Sequence, residues 1–128
     1  MQVLLDTHAF LWFISGDLRL SKNAREKIED SQNDRYVSAA SCWEIAIKHG
    51  LGRLDFGAPL ESVFNHEIEG NGLQFLDISR KHLLQLRQLP LVHGDPFDRL
   101  LVAQAKIENL TLLSIDEKLD AYKVRRLW

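Results

Sequence analysis

The sequence has a single cysteine, Cys42, in 128 residues. A lone cysteine cannot close an intrachain disulfide or build a structural zinc site, so disulfide scaffolds and zinc ribbons are excluded. No stretch approaches the ~20 consecutive apolar residues of a membrane span. Nor does a charged segment lead into an apolar one with a small-residue cleavage site, so no signal peptide is expected and the chain reads as cytoplasmic, with no membrane partner. The histidines, His8, His49, His66, His82 and His93, show no HExxH spacing. The short glycine motifs "GLG" and "GNG" follow helical segments and lack the further glycines of a nucleotide-binding loop. Excess positive charge is missing too. The formal net charge is -2, whereas a dedicated nucleic-acid binder is usually basic overall. That exclusion fails if acids gather at one site and bases line its rim. Lys48, Arg53, Arg99 and the tail cations Lys123, Arg125 and Arg126 are the candidates for such a rim, although a charge run is more often a solvated face.

What is present is a 45% hydrophobic chain, long enough for one domain over residues 1–128 and too short for two ordinary ones. "QVLLD" is a short β-branched apolar run ending in an acid, a buried strand by pattern. "THAFLWFISG" follows as a helix closed by Gly16, and "LSKNAREKIEDS" as an exposed helix capped by Ser21. "RYVSA" predicts a second strand. "SCWEIAIKHGLGRL" predicts a helix starting at about Ser41, and "FGAPLESVFNHEIEGNG" a short helix closed by Gly70 and Gly72. "LQFLDI" is a third strand, "SRKHLLQLRQL" a helix stopped by Pro90, "DPFDRLLVAQA" the start of a helix running to about Asn109, and "LTLLSID" a last strand. Alternating strands and helices predict an α/β fold with a mostly parallel sheet covered on both faces, an α/β/α sandwich.

Ligands of such sheets bind beyond the carboxyl ends of the strands, which directs attention to the residues there. Asp6 follows "VLL" directly and Asp116 follows "TLLSI". Glu44 and Asp98 are expected in the first turns of their helices. Each has a structural explanation. Ser41 with Glu44 has the spacing of a capping box, Asp95 and Asp98 flank a helix start with Pro96 at the favoured first position, and Asp6 and Asp116 could be turn residues. The neighbours of Asp98 and Glu44 are apolar at helical spacing, so both acids point partly inward. Four carboxylates meeting at a half-buried edge would repel one another unless a cation neutralised them. Mg²⁺ or Mn²⁺ suits an all-oxygen donor set better than zinc. Such a cage suits phosphodiester cleavage, with Glu44 or Asp116 orienting or deprotonating the water and Lys48 and Arg99 meeting phosphates. A phosphotransferase with an aspartate after its first strand is disfavoured, because that chemistry expects an acid two residues on, where this chain has His8.

The segments "LLDTHAFLW", "SAASCWEIAIKHGLGRL", "HGDPFDRLLVAQA" and "LLSIDEKLDAY" occur in the order and spacing of a PIN domain. The chain closely resembles the VapC-type toxins of prokaryotic toxin-antitoxin pairs over nearly its whole length. The resemblance implies a compact ribonuclease that cuts RNA with Mg²⁺ or Mn²⁺. It makes Asp6 and Asp98 the main metal ligands, with Glu44 completing the site and Asp116 holding a metal-bound water or a second ion. Thr7 occupies the motif's hydroxyl position and joins Lys48 and Arg99 as a candidate substrate-binding residue. Asp95 is an additional acid, read as the helix cap rather than as a further ligand. The resemblance also implies a homodimer and an inhibitory antitoxin, with Trp12, Phe13 and Trp43 as candidates for the antitoxin groove or, equally, as core aromatics. A catalytically silent PIN domain that binds RNA or protein is the alternative, and the intact acids argue against it.

Overall fold

The computed structural model describes residues 1–128. Strands β1 (Gln2–Leu5), β2 (Asp34–Ser38), β3 (Gln74–Leu76), β4 (Thr111–Leu113) and β5 (Arg126–Leu127) form one sheet in the order β3-β2-β1-β4-β5. Every pairing is parallel. The helices are α1 (Thr7–Ser15), α2 (Lys22–Glu29), α3 (Ala39–Gly50), α4 (Leu60–Glu67), α5 (Arg80–Gln88) and α6 (Pro96–Glu108). The three-layer α/β/α arrangement expected from the sequence is therefore present.

The layers follow from side-chain alternation along the central strand. Val3 and Leu5 of β1 enter a core shared with Phe10, Ile28 and Ile45 from α1, α2 and α3. Leu4 faces the other way, into a core with Leu101, Val102 and Leu112. All three β1 residues are fully buried, which is why the strand reads as a continuous apolar run rather than an alternating one. From β1 the chain builds outward through β2 to β3, then returns to the opposite side of β1 for β4 and β5. The reversal falls between β1 and β4, so their carboxyl ends open the crevice where parallel sheets bind ligands.

Several helix ends match their sequence signals. Ser21 caps α2, accepting a hydrogen bond from Ala24 N–H, and Gly16 closes α1 at φ 67°. Asp95 caps α6, with Pro96 at the first helical position. The start of α3 is a correction. Its cap is Ser38, not Ser41, because β2 passes into the helix with no intervening loop. The Ser38 hydroxyl accepts from Ala40 N–H and donates to the buried Gln104 of α6. Ser41 and Glu44 therefore do not form a capping box, and Glu44 lies in the second turn rather than the first. A second correction concerns the tail. The sequence pattern did not predict β5 or the 3-10 helix at Glu117–Tyr122. β5 has only two residues and is defined by pairing with β4, so it leaves almost no local pattern. No helix is long and apolar enough to cross a membrane.

Candidate active site

The crevice between β1 and β4 receives acids from four elements. Asp6 is the residue after β1 and the cap of α1, where its Oδ1 accepts the Ala9 N–H at 2.7 Å. Glu44 projects from α3 and Asp98 from the first turn of α6. Asp116 caps the 3-10 helix beyond β4, accepting the Lys118 N–H at 3.0 Å. Trp43 and Phe97, the residues before Glu44 and Asp98, pack edge to face at 4.9 Å. This contact holds together the two helical turns that carry those acids.

The electrostatics show which acids share a field. Burial raises the Asp98 carboxyl to about 7, reinforced by Asp95, Asp6 and Glu44 and opposed by the His93 imidazole. Asp98 accepts no hydrogen bond from the protein, and the His93 Nε2 stands 3.7 Å from its Oδ2. Burial also raises Asp6, with Glu44 adding to the effect, against hydrogen bonds from the Ser114 hydroxyl and the Ala9 amide. Asp116 moves the other way. Its burial would push it up, but hydrogen bonds from His93 and the Lys118 amide hold it below the ordinary carboxylate value. Glu44 is nearly buried at 7% exposure and pairs with Lys48, Nζ to Oε2 at 2.7 Å.

Asp6, Glu44 and Asp98 thus repel one another in a desolvated setting, and Lys48 is the only ammonium bonded to any of them. The donor set tests whether a metal fits. A hard divalent cation suits clustered oxygen donors of which one, Asp98, has no hydrogen-bond donor of its own. Ligand atoms of Asp98, Asp116 and His93 also lie within 4.8 Å of one another. The residues present fit such an ion.

Other candidates are placed differently from expectation. Thr7 is buried, and its hydroxyl bonds the Ser41 hydroxyl at 3.0 Å, tying α1 to α3. Arg99 is committed to the chain: its guanidinium donates to Pro90 O at 2.8 Å and to the Tyr122 hydroxyl at 3.2 Å. Two of the tail cations have partners within the chain. Arg125 bonds Asn109 and Arg126 pairs with Asp120 at 2.8 Å. Lys48 and Arg53 do face open space, in a groove of about 950 Å³ also lined by Leu11, Trp12, Phe56 and His66. Phe13 instead packs against the core, and Trp43 is 56% exposed elsewhere. Asp95 is the α6 cap that the sequence predicts, its Oδ1 accepting Phe97 N–H and Asp98 N–H at 2.8 and 3.2 Å.

Sequence reasoning missed His93, whose Nε2 lies 2.7 Å from Asp116 Oδ2. Its one signal in the sequence is its position. It stands two residues before the α6 cap in "HGDPFD", with no metal-ligand spacing to distinguish it from the other histidines.

A wholly parallel three-layer domain with carboxylates gathered at its switch point is the class these observations define. Residues 3–125 match the PIN domain family, and the chain belongs to it. Among solved structures, VapBC2 from Rickettsia felis, bound to a DNA fragment from its promoter, superposes with a TM-score of 0.72 at 19% identity, covering 99% of this chain and 98% of that one. FitAcB from Neisseria gonorrhoeae gives 0.66 at 17% identity, with 98% and 96% covered. A toxin-antitoxin complex from Klebsiella pneumoniae gives 0.65 at 17% identity, with the same coverage. At these identities the likeness is one of fold. No curated protein matches the chain.

Proposed function

We propose that this PIN domain is a metal-dependent endoribonuclease, the toxin of a toxin-antitoxin pair, using Mg²⁺ or Mn²⁺ to hydrolyse RNA phosphodiester bonds. The family's members are generally nucleases. The observation that carries the reading is Asp98, a desolvated carboxylate with no donor of its own, raised to about 7 among Asp6, Glu44 and Asp95. Asp6 and Asp98 would hold the ion, with Glu44 and Asp116 reaching it through water. A bound divalent ion supplies Lewis acidity toward a phosphate oxygen and lowers the pKa of water. The chain's own groups do the rest. Asp116, held charged and fixed at both oxygens by His93 and the Lys118 amide, can accept a hydrogen bond from the attacking water. Lys48 neutralises Glu44 and is the cation best placed to approach a phosphate.

Two partners follow from this reading. The solved relatives include toxin-antitoxin complexes, and the groove beside Lys48, with Trp12 and Phe56 in its wall, is the surface that would receive an antitoxin segment. On α3 the exposed residues Trp43, Ala46 and Ile47 share one face, continued by Leu51 at the helix cap, a surface suited to a homodimer.

The test is direct. The purified protein is incubated with a pool of structured RNAs in Mg²⁺, in Mn²⁺ and in EDTA. Internal cuts are expected with either ion, none with EDTA, and recovery when the ion is restored. Cutting that persists in EDTA would contradict the metal role, and the absence of any cut would favour the silent binding module.

A further inference from the structure

We infer that His93 is a positioning residue of this centre, an Nε2–H donor that fixes the Asp116 carboxylate and stays out of the metal's coordination. The inference rests on the nuclease reading above. By distance alone the opposite assignment is attractive, since His93, Asp98 and Asp116 form a compact three-residue cluster. The hydrogen bonds decide against it. The backbone N–H of Asp95 donates to His93 Nδ1 at 3.1 Å. That nitrogen is therefore the bare acceptor, and the ring proton sits on Nε2. Nε2 points at Asp116 Oδ2 at 2.7 Å, a hydrogen-bond length, and stands 3.7 Å from Asp98 Oδ2, beyond one. A nitrogen that carries this proton has no lone pair for an ion. Binding metal there would strip the proton from Nε2 or break the Asp95 bond at Nδ1.

The segment around His93 is fixed on its other side as well. The backbone N–H of His93 donates to the Tyr122 hydroxyl at 2.8 Å, and the same hydroxyl receives Arg99, which also clamps Pro90 O. Tyr122 is 3% exposed, so the anchor is buried. The loop before α6 is thus pinned by Tyr122 and Arg99, the ring is oriented by the α6 cap residue, and the ring in turn orients Asp116. One continuous set of contacts links the α6 start, which delivers Asp98, to the acid across the crevice. This also gives Arg99 a role inside the protein, as the clamp on that loop.

Long-range ¹⁵N–¹H correlation spectra of the imidazole nitrogens test the assignment on the full chain. Nε2 is expected to be protonated and Nδ1 bare, both without metal and during a Mg²⁺ titration that shifts amides near Asp98. Loss of the Nε2 proton on adding Mg²⁺ would make His93 a ligand and overturn the proposal. Two variants add a functional readout. His93→Ala should lower kcat by about 10–100-fold, with KM for RNA and calorimetric Mn²⁺ affinity within about twofold of the parent. His93→Gln keeps an N–H donor near the Nε2 position and should recover most of that loss. An unchanged kcat in His93→Ala, or a Mn²⁺ affinity reduced more than about tenfold in both variants, would overturn it. A parent protein that cuts no RNA defeats the nuclease reading instead, while the spectra still decide what His93 does.

Discussion

Asp98→Asn should abolish RNA cleavage, by more than about 100-fold, while making the metal-free protein more stable at pH 8. The opposed effects come from one cause. The Asp98 carboxylate is largely desolvated, lies in the field of Asp95, Asp6 and Glu44, and accepts no hydrogen bond that asparagine would lose. Keeping it charged above pH 7 costs on the order of 2 kcal/mol, after discounting for the side chain's remaining contact with water. Asparagine has the same shape and no charge, so that cost disappears, and the melting temperature of a domain this size should rise by roughly 4–8 °C. The same change removes the charged ligand from the site. A residue serving only to start α6 would behave differently, because asparagine is also a good cap and would leave both readouts nearly unchanged. Thermal melts in EDTA and cleavage assays in Mn²⁺ on the same preparation separate the two cases.

The second large effect is on pH dependence, and metal abolishes it. Asp98 and Asp6 are both raised in the folded chain. Between about pH 4 and pH 7 the native state then holds protons that the unfolded chain has released, so stability falls as pH rises through this window. Asp116 is lowered and contributes with the opposite sign, its stabilisation being lost only as pH drops below about 4. Metal-free protein should therefore melt higher near pH 5 than near pH 8. A divalent ion requires the deprotonated carboxylates, so its affinity should fall about tenfold for each pH unit below 7. At pH 8, an ion at 100 times its Kd adds about 2.7 kcal/mol to stability. The melting profile measured with Mn²⁺ should thus be nearly flat between pH 5 and pH 8, where the profile in EDTA falls. Parallel profiles with and without the ion would mean that these acids do not bind it.

Much of this site was legible because its acids occupy positions with a local signature. Asp6 and Asp116 follow apolar strand runs, and "DPFD" carries the cap, the proline and the inward acid of one helix start. Parallel strands buried on both faces also leave strong runs such as "VLL" and "TLL". What was not legible depends on tertiary contacts. Ser38 ends a strand, caps α3 and bonds Gln104 across 66 positions of sequence, and that threefold role moved the true start of α3 ahead of the expected one. The tail cations read as a solvated charge run or a basic rim, and the partners Asn109 and Asp120 that hold Arg125 and Arg126 come from other parts of the chain. Arg99 is a candidate phosphate contact because it lies near a helix start that carries an acid, and its bonds to the carbonyls of the preceding loop depend on where the fold places that loop. His93 acquires meaning only when the fold brings Asp116, 23 residues away, against its ring.

The central claim is that the crevice acids bind a divalent ion, and anomalous scattering from crystals soaked in Mn²⁺ tests it most directly. The account predicts a peak bonded to carboxylate oxygens of Asp6 and Asp98, absent in Asp98→Asn, with His93 Nε2 still on Asp116. No peak in the crevice, or a peak bonded to His93, would contradict it.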